Sequence, residues 1–439
     1  MFVDIIFGFF GLAVLISIAF VFSNNKKNIR WQQVSIGIAM QIAFAVFVIM
    51  TPWGAEVFNF VGNIFVKIIS FTNEGSAFVF GTLSNQAEFD KAFPETMQNM
   101  GKGFLFAFQV LPTIIFFSSL MSILYHLGVM QKIVQGMAWV MAKLLKVSGA
   151  ESISVAANVF IGQTEAPLVV RPYVEPMTKS ELLTLMVGGM ATIAGGVLAA
   201  YVGLLGGTDP LQQVFYAKHL LSASIMAAPA TIVIAKILVP ETETSQTMGE
   251  VKVNVEKTAS NTIEAAATGA ADGLKLALNV AGMLLAFIAL IAMLNFIISA
   301  IVTDLFGITT TAGTPVTLET ILGYVLSPIA WIIGVPWSDA INVGSLIGQK
   351  VVLNEFIAYL SLAQTIPQGI LSEKAIIIST YALCGFANFS SIAIQIGGIG
   401  GIAPGRRSDI AKFGLRAVLG GTLATFMTAT IAGVLTSLN

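Results

Sequence analysis

Residues 151–176 read ESISVAANVFIGQTEAPLVVRPYVEP, and the way this stretch fails as a helix decides the fold. It is largely apolar, yet Gly162, Pro167, Pro172 and Pro176 interrupt it. Proline removes an amide donor and clashes with the preceding turn, so one continuous helix cannot run through. The leading half, 151–161, would be about 16 Å long at 1.5 Å per residue. That is half of a hydrocarbon core ~30 Å thick. The stretch predicts a re-entrant helical hairpin, entering a bilayer and returning on the same side. A second stretch, 338–364, is interrupted at Asn354-Glu355 and predicts another.

The surroundings are those of a membrane protein. Of 439 residues, 56% are apolar and only 10% charged, with a mean hydropathy of +0.86. Soluble domains carry roughly a quarter charged residues. The 22 basic and 23 acidic residues nearly cancel, leaving no excess to hold a nucleic acid. One cysteine excludes an internal disulfide framework. Apolar runs lie near 2–22, 31–50, 104–127, 180–204, 211–239, 274–303, 318–335, 374–398 and 413–437. The first is too long for a signal-peptide core and lacks a basic lead, so it is read as a span. The expected fold is an all-α polytopic membrane protein with eight transmembrane helices, run 318–335 not crossing.

Two further stretches predict interfacial helices. Residues 56–70 align Glu56, Asn59, Asn63, Lys67 and Ser70 opposite Val57, Phe60, Val61, Ile64, Phe65 and Ile68. Residues 131–147 carry Lys132, Lys143 and Lys146. With residues 24–30 inside, the inner segments hold 15 basic residues and the outer ones 4. This bias predicts both termini outside.

Four regions follow: N-terminal scaffold spans over 1–103; a first repeat over 104–239; a polar cytoplasmic linker over 240–262; and a second repeat over 263–439. Each repeat holds a hairpin, then a span with polar residues in its middle. In 180–204 these are Gly188, Gly189, Thr192, Gly195 and Gly196; in 374–398 they are Cys384, Gly385, Asn388, Ser390 and Ser391. The orientation starts the first hairpin from inside and the second from outside. Broken segments in opposed positions point to an inverted-repeat transporter with its site near the midplane.

The hairpin tips hold Gln163, Thr164, Glu165, Asn354 and Glu355. A carboxylate at such a depth is costly unless partnered. Either the two glutamates only fix their turns, or they line a polar cavity. With no Lys or Arg expected at the tips, these groups suit an uncharged solute rich in hydroxyls and ring nitrogens. Asn158 and Thr192 by themselves read as a packing amide and a hydroxyl bonded to its own helix. Phe386 and Leu276 read as core. His126 and His219 read as structural, and Cys384 as a small buried residue.

The runs Gly162-Gln163-Thr164-Glu165-Ala166-Pro167, Asn354-Glu355-Phe356-Ile357-Ala358-Tyr359 and Cys384-Gly385-Phe386-Ala387-Asn388-Phe389-Ser390-Ser391 resemble signatures of the concentrative nucleoside transporter family. The similarity covers essentially the whole chain and is closest to bacterial members. It implies that Gln163, Thr164, Glu165 and Val197 face a nucleobase, that Glu355, Asn388 and Ser391 hold the ribose, and that Phe386 and Leu276 make apolar contacts. It also implies a co-transported sodium ion on the side chains of Asn158 and Thr192 and the carbonyls of Ile161 and Ile193. Family members carry serine where Thr192 stands; threonine keeps the hydroxyl and restricts its rotamer.

The resemblance implies a homotrimer in a bacterial cytoplasmic (inner) membrane, importing nucleosides such as uridine by an elevator-like movement. It implies no enzyme activity. Proton coupling through Glu165 or Glu355 is the rival for the driving ion. An intramembrane enzyme using those two carboxylates, or a channel, are rivals of other classes. No nucleophile–base set accompanies the carboxylates in the sequence.

Overall fold

Backbone polar groups inside a bilayer must find partners within the protein, and the computed structural model of this chain meets that demand with helices. It describes residues 2–85, 88–89, 91, 105–249, 259–310 and 313–438. Among these the β-structure is one isolated bridge, Thr309 with Pro315. In chain order the helices are α1 (Phe2–Val21), α2 (Trp31–Met50), α3 (Pro52–Phe80), α4 (Leu111–His126), α5 (Val129–Leu145), α6 (Gly149–Asn158), α7 (Lys179–Ala191), α8 (Gly195–Gly206) and α9 (Pro210–Leu238). Next come α10 (Thr262–Ile298), α11 (Leu318–Ile332), α12 (Ala340–Val352), α13 (Glu355–Thr365), α14 (Glu373–Ala382), α15 (Phe389–Ile402) and α16 (Arg407–Thr436).

Eight helical stretches among the described residues are long and apolar enough to cross a membrane. The number matches the expectation; the membership differs by one exchange. Stretch 374–398 drops out because residues 383–388 interrupt it. Helix α3 replaces it: 56–70 is half of a 29-residue helix. Its polar stripe stays exposed at Glu56, Asn59, Asn63 and Lys67, and its Val57, Phe60, Val61 and Ile64 are exposed too. The helix packs through a third face, Gly54, Phe58, Gly62 and Ile69, so the two-faced reading missed what holds it. Helix α5 follows its pattern, burying Met130, Val134, Ala138, Met141 and Leu145 while Lys132 and Lys143 stay exposed.

Helix α10 begins at Thr262, capped by the Asn261 side chain, twelve residues before the apolar run that announced it. The interval 240–262 is not uniformly a free polar linker. Ser245 and Thr247 are buried, because they supply partners to buried groups at the start of α6 and α7. Residues 250–258 and 92–104 lie outside the described residues.

One order of elements occurs twice. A hairpin helix (α6; α12) ends in a tip and a returning segment (two short turns, Ala166–Val169 and Arg171–Val174; then α13). A pair of half-helices follows (α7–α8; α14–α15), and then a long helix of 29 or 30 residues (α9; α16). Side-chain caps set the starts: Thr178 and Glu181 form a capping box for α7, while Ser372, Asn354 and Asn388 cap α14, α13 and α15. Such caps satisfy amides that would otherwise be orphaned at depth.

The core lies in these elements. In Lys179–Gly206, Pro210–Leu238 and Pro404–Thr436, 89%, 89% and 83% of the most apolar part is buried, against none in Thr262–Leu305. The two broken helices meet at their breaks. A β-carbon at Gly385 would come 2.8 Å from the Met190 carbonyl oxygen, so only glycine permits this backbone approach.

Candidate functional site

The first tip is a broad turn. Residues 159–165 separate α6 from the short turns that return, and Gly162 N–H donates to Glu165 Oε2 at 2.7 Å. Thr164 and Glu165 are exposed, whereas Gln163 is buried. The second tip is tight: α12 ends at Val352 and α13 begins at Glu355. Asn354 Oδ1 accepts from Ile357 N–H at 3.0 Å, which turns the chain within two residues and buries Glu355 at its first helical position.

Both tips reach the second broken helix. Gln163 Nε2 donates to Ser391 Oγ at 3.0 Å. Glu355 Oε2 accepts from Asn388 Nδ2 at 3.0 Å. Asn388 Oδ1 accepts from Ser391 N–H at 2.9 Å and from Ser390 Oγ at 2.7 Å. Gln163, Ser391, Asn388 and Glu355 thus form one chain of polar contacts between residues far apart in sequence. Thr164 packs against Gly398 on the same helix, its Cγ2 being 3.3 Å from where a β-carbon would stand. The glycine-rich run 397–401 lies inside α15. Val197 is buried in the first turn of α8, and Leu276 and Phe386 are half-buried.

Three residues of this region escaped the sequence reading. Tyr201 donates its hydroxyl to Glu355 Oε1 at 3.0 Å, and its ring packs on Phe356 and Tyr359 at 4.7 and 4.3 Å. Gln395 Nε2 donates to Gln163 Oε1 at 3.1 Å and to Met186 O at 2.9 Å. Lys350 is fully buried, its Nζ donating to Ala382 O at 2.7 Å and Thr425 Oγ1 at 3.1 Å. The expectation that no basic group lies near the tips therefore fails, because a lysine stem of four methylenes carries the amine to a neighbouring helix. A signal existed for two of them: Tyr201 and Gln395 stand four residues from Val197 and Ser391, on the same helical faces. Gly189 makes room for the amide pair, since a β-carbon there would lie 2.8 Å from Gln163 Cβ and 3.0 Å from Gln395 Nε2.

The expected ion ligands gather where α6 ends and α7 breaks. Asn158 Nδ2 donates to Ser154 O at 3.0 Å, while its Oδ1 is buried with no hydrogen-bond partner. Thr192 Oγ1 donates to Gly188 O at 2.9 Å, as a helix hydroxyl does by default, which leaves its lone pairs available. Ile161 and Ile193 lie outside the helices, and among the described residues no hydrogen bond reaches their carbonyls. An orphaned buried amide oxygen, a hydroxyl and two free carbonyls are hard oxygen donors, the kind an alkali cation takes.

A second polar cluster, unforeseen from sequence, lies at the start of α6 and α7. Glu151 pairs with Lys236 at 2.7 Å, both nearly fully buried. Lys236 also donates to Ser180 Oγ at 2.9 Å. Glu181 accepts from Ser148 and Ser245, and Gly149 N–H donates to Thr247 O at 2.9 Å. Away from this region, His219 Nδ1 lies 3.1 Å from the Tyr381 hydroxyl, and Cys384 is buried.

Comparison with known proteins gives these contacts a context. Family models match in chain order: Na+ dependent nucleoside transporter N-terminus over residues 10–83, Nucleoside recognition (Gate) over 107–208, and Na+ dependent nucleoside transporter C-terminus over 219–433. Nucleoside permease NupC of Helicobacter pylori is 41% identical over 99% of this chain and 98% of its own length. The chain belongs to the concentrative nucleoside transporter family. Another similar member is the uncharacterized transporter YutK of Bacillus subtilis, 46% identical over 98% of this chain and 99% of that protein. Sodium/nucleoside cotransporter 1 of Mus musculus is 38% identical over 97% of this chain and 63% of that protein. The solved structure of CNTnw in an inward-facing substrate-bound state matches with a TM-score of 0.89 at 43% identity, covering 99% of both chains. Membership makes this chain a multi-pass nucleoside transporter and not an enzyme, and the family's sodium dependence implies sodium co-transport.

Proposed function

We propose that this concentrative nucleoside transporter is a sodium-driven importer of nucleosides such as uridine, working as a homotrimer in a bacterial cytoplasmic membrane. In this reading Gln163, Thr164, Glu165 and Val197 face the base. Glu355, Asn388 and Ser391 hold the ribose, with Leu276 and Phe386 flanking. Sodium, the second transported species, sits on Asn158, Thr192 and the Ile161 and Ile193 carbonyls. The observation that carries the proposal is the polar chain from Gln163 through Ser391 and Asn388 to Glu355. A carboxylate accepts from two ribose hydroxyls, while a primary amide donates and accepts at a base edge.

The two hairpins and two broken helices act as one unit, and we place it in an elevator-like movement against α1–α4 and α10. The orphaned Asn158 oxygen at the end of α6 lies near the same tip that presents Gln163. Sodium that orders this turn also positions the amide for the nucleoside. Labelled uridine uptake into proteoliposomes, in sodium and in choline with proton gradients collapsed, tests the reading. Accumulation in sodium alone is expected. Accumulation that follows only a proton gradient removes sodium coupling, and equilibration without accumulation makes the protein a channel.

A further inference from the structure

The two halves differ at one matched place. In the first half three elements meet where the hairpin helix ends. Asn158 closes α6 and lies against Gly188 in the last turn of α7, with Thr231 of α9 beside them. A β-carbon at 188 would stand 3.2 Å from Asn158 Nδ2 and 3.6 Å from Thr231 Cγ2. Asn158 Oδ1 and Thr231 Oγ1 are both buried without a hydrogen-bond partner. In the second half the corresponding elements meet in the same order. Lys350 lies in the last turn of α12, Ala382 ends α14, and Thr425 belongs to α16. Here the amine of Lys350 bonds the Ala382 carbonyl and the Thr425 hydroxyl.

That amine lacks an ion-pair partner among the described residues. The oxygens of Glu355 are taken by Tyr201 and Asn388. A fully buried ammonium held only by neutral groups is a costly tie between helices, and a neutral side chain could make the same two bonds. A half-helix C-terminus, however, presents carbonyls with negative dipolar character. With a hydroxyl beside it, this is the oxygen set that coordinates an alkali cation in broken-helix transporters. The charge on Lys350 is therefore what the place selects.

We infer that Lys350 is a tethered cation, filling the second half's counterpart of the sodium site, so that only the first half exchanges an ion with solution. The inference rests on the sodium reading above. Its test uses the full-length purified protein, wild type and Lys350→Ala, with thermal unfolding titrated with sodium chloride against choline chloride at constant ionic strength. Uridine uptake in proteoliposomes is measured over the same sodium range. Lys350→Ala is expected to lose thermal stability, to regain at least half of the loss in sodium, and to regain none in choline. Its sodium activation should steepen from a Hill coefficient of about 1 toward about 2, as a second exchangeable site requires.

Lys350→Asn, which supplies the same amide as Asn158, is expected to do likewise and serves if the alanine variant does not survive extraction. Variants that respond to sodium as the wild type does overturn the inference, as does protein lost equally from sodium and choline extracts. A wild type indifferent to sodium would instead overturn the sodium reading itself.

Discussion

The two hairpins share an order of elements and differ in how their tips are held. The first closes over seven residues, exposes Thr164 and Glu165, and leaves the Asn158 oxygen without a partner. The second turns within two residues, buries Glu355 and satisfies both its oxygens through Tyr201 and Asn388. One tip is built with vacant acceptors and the other with filled ones. Vacant buried acceptors favour a ligand that supplies charge, whereas a pre-bonded carboxylate favours a ligand that can replace donors already in place. In the proposed reading, a repeated fold gives the ion and the nucleobase to one half and the ribose to the other while keeping one backbone plan.

The largest test of that division falls on the second tip. Glu355→Gln removes the charge that strengthens hydrogen bonds to hydroxyls, at about 2–3 kcal/mol, or roughly 30- to 150-fold in nucleoside Kd. Calorimetric titration with uridine should show this while yield and trimer content stay near wild type. An equal fall in yield and affinity would reduce the glutamate to a fixture of its turn. On the first tip, Asn158→Ala should raise the sodium concentration for half-maximal uptake about tenfold, the effect of one lost oxygen ligand at ~1.4 kcal/mol. Unchanged sodium activation would erase the contrast between vacant and filled tips.

Smaller changes sharpen the contrast. Tyr201→Phe deletes one donor to Glu355, costing about 1 kcal/mol and roughly fivefold in uridine affinity. Its sodium activation at saturating uridine should match wild type. Gln395→Met frees Gln163 Oε1 and should alter the ratio of uridine to adenosine affinity by about threefold, the small end of a single neutral hydrogen bond. Competition of each nucleoside against labelled uridine measures it. No change in the ratio would make Gln395 a packing residue alone.

Much of this architecture is legible in residue order. Gly162, Pro167 and Pro172 announce the first hairpin, and the polar residues inside 374–398 announce the break at 383–388. Expectations failed where the deciding partner is distant in sequence. Helix α3 is held by Gly54, Phe58 and Gly62, small and apolar positions that a polar-stripe pattern does not single out. Lys350 has no assigned role in the sequence, because the groups that hold its amine belong to α14 and α16. Ser245 and Thr247 look like linker because their partner, the start of α6 and α7, is nearly 100 residues upstream for one and over 60 for the other. At the candidate site, Gln163, Glu355, Asn388 and Ser391 were legible as polar interruptions of apolar helices. Tyr201 and Gln395 had only their four-residue spacing from Val197 and Ser391 to mark them, because their partners, Glu355 and Gln163, are distant in sequence.

The contact of Gly385 with the Met190 carbonyl joins the break in α7–α8 to the break in α14–α15, backbone against backbone. No side chain lies between them to absorb a displacement. If sodium seated beside one break tightens nucleoside binding beside the other, linkage obliges the nucleoside to tighten sodium by the same factor. In that case the joint between the two breaks is a direct path by which the two occupancies could influence one another. Widening that joint, as Gly385→Ala would, should lower both mutual affinity factors together and never one alone.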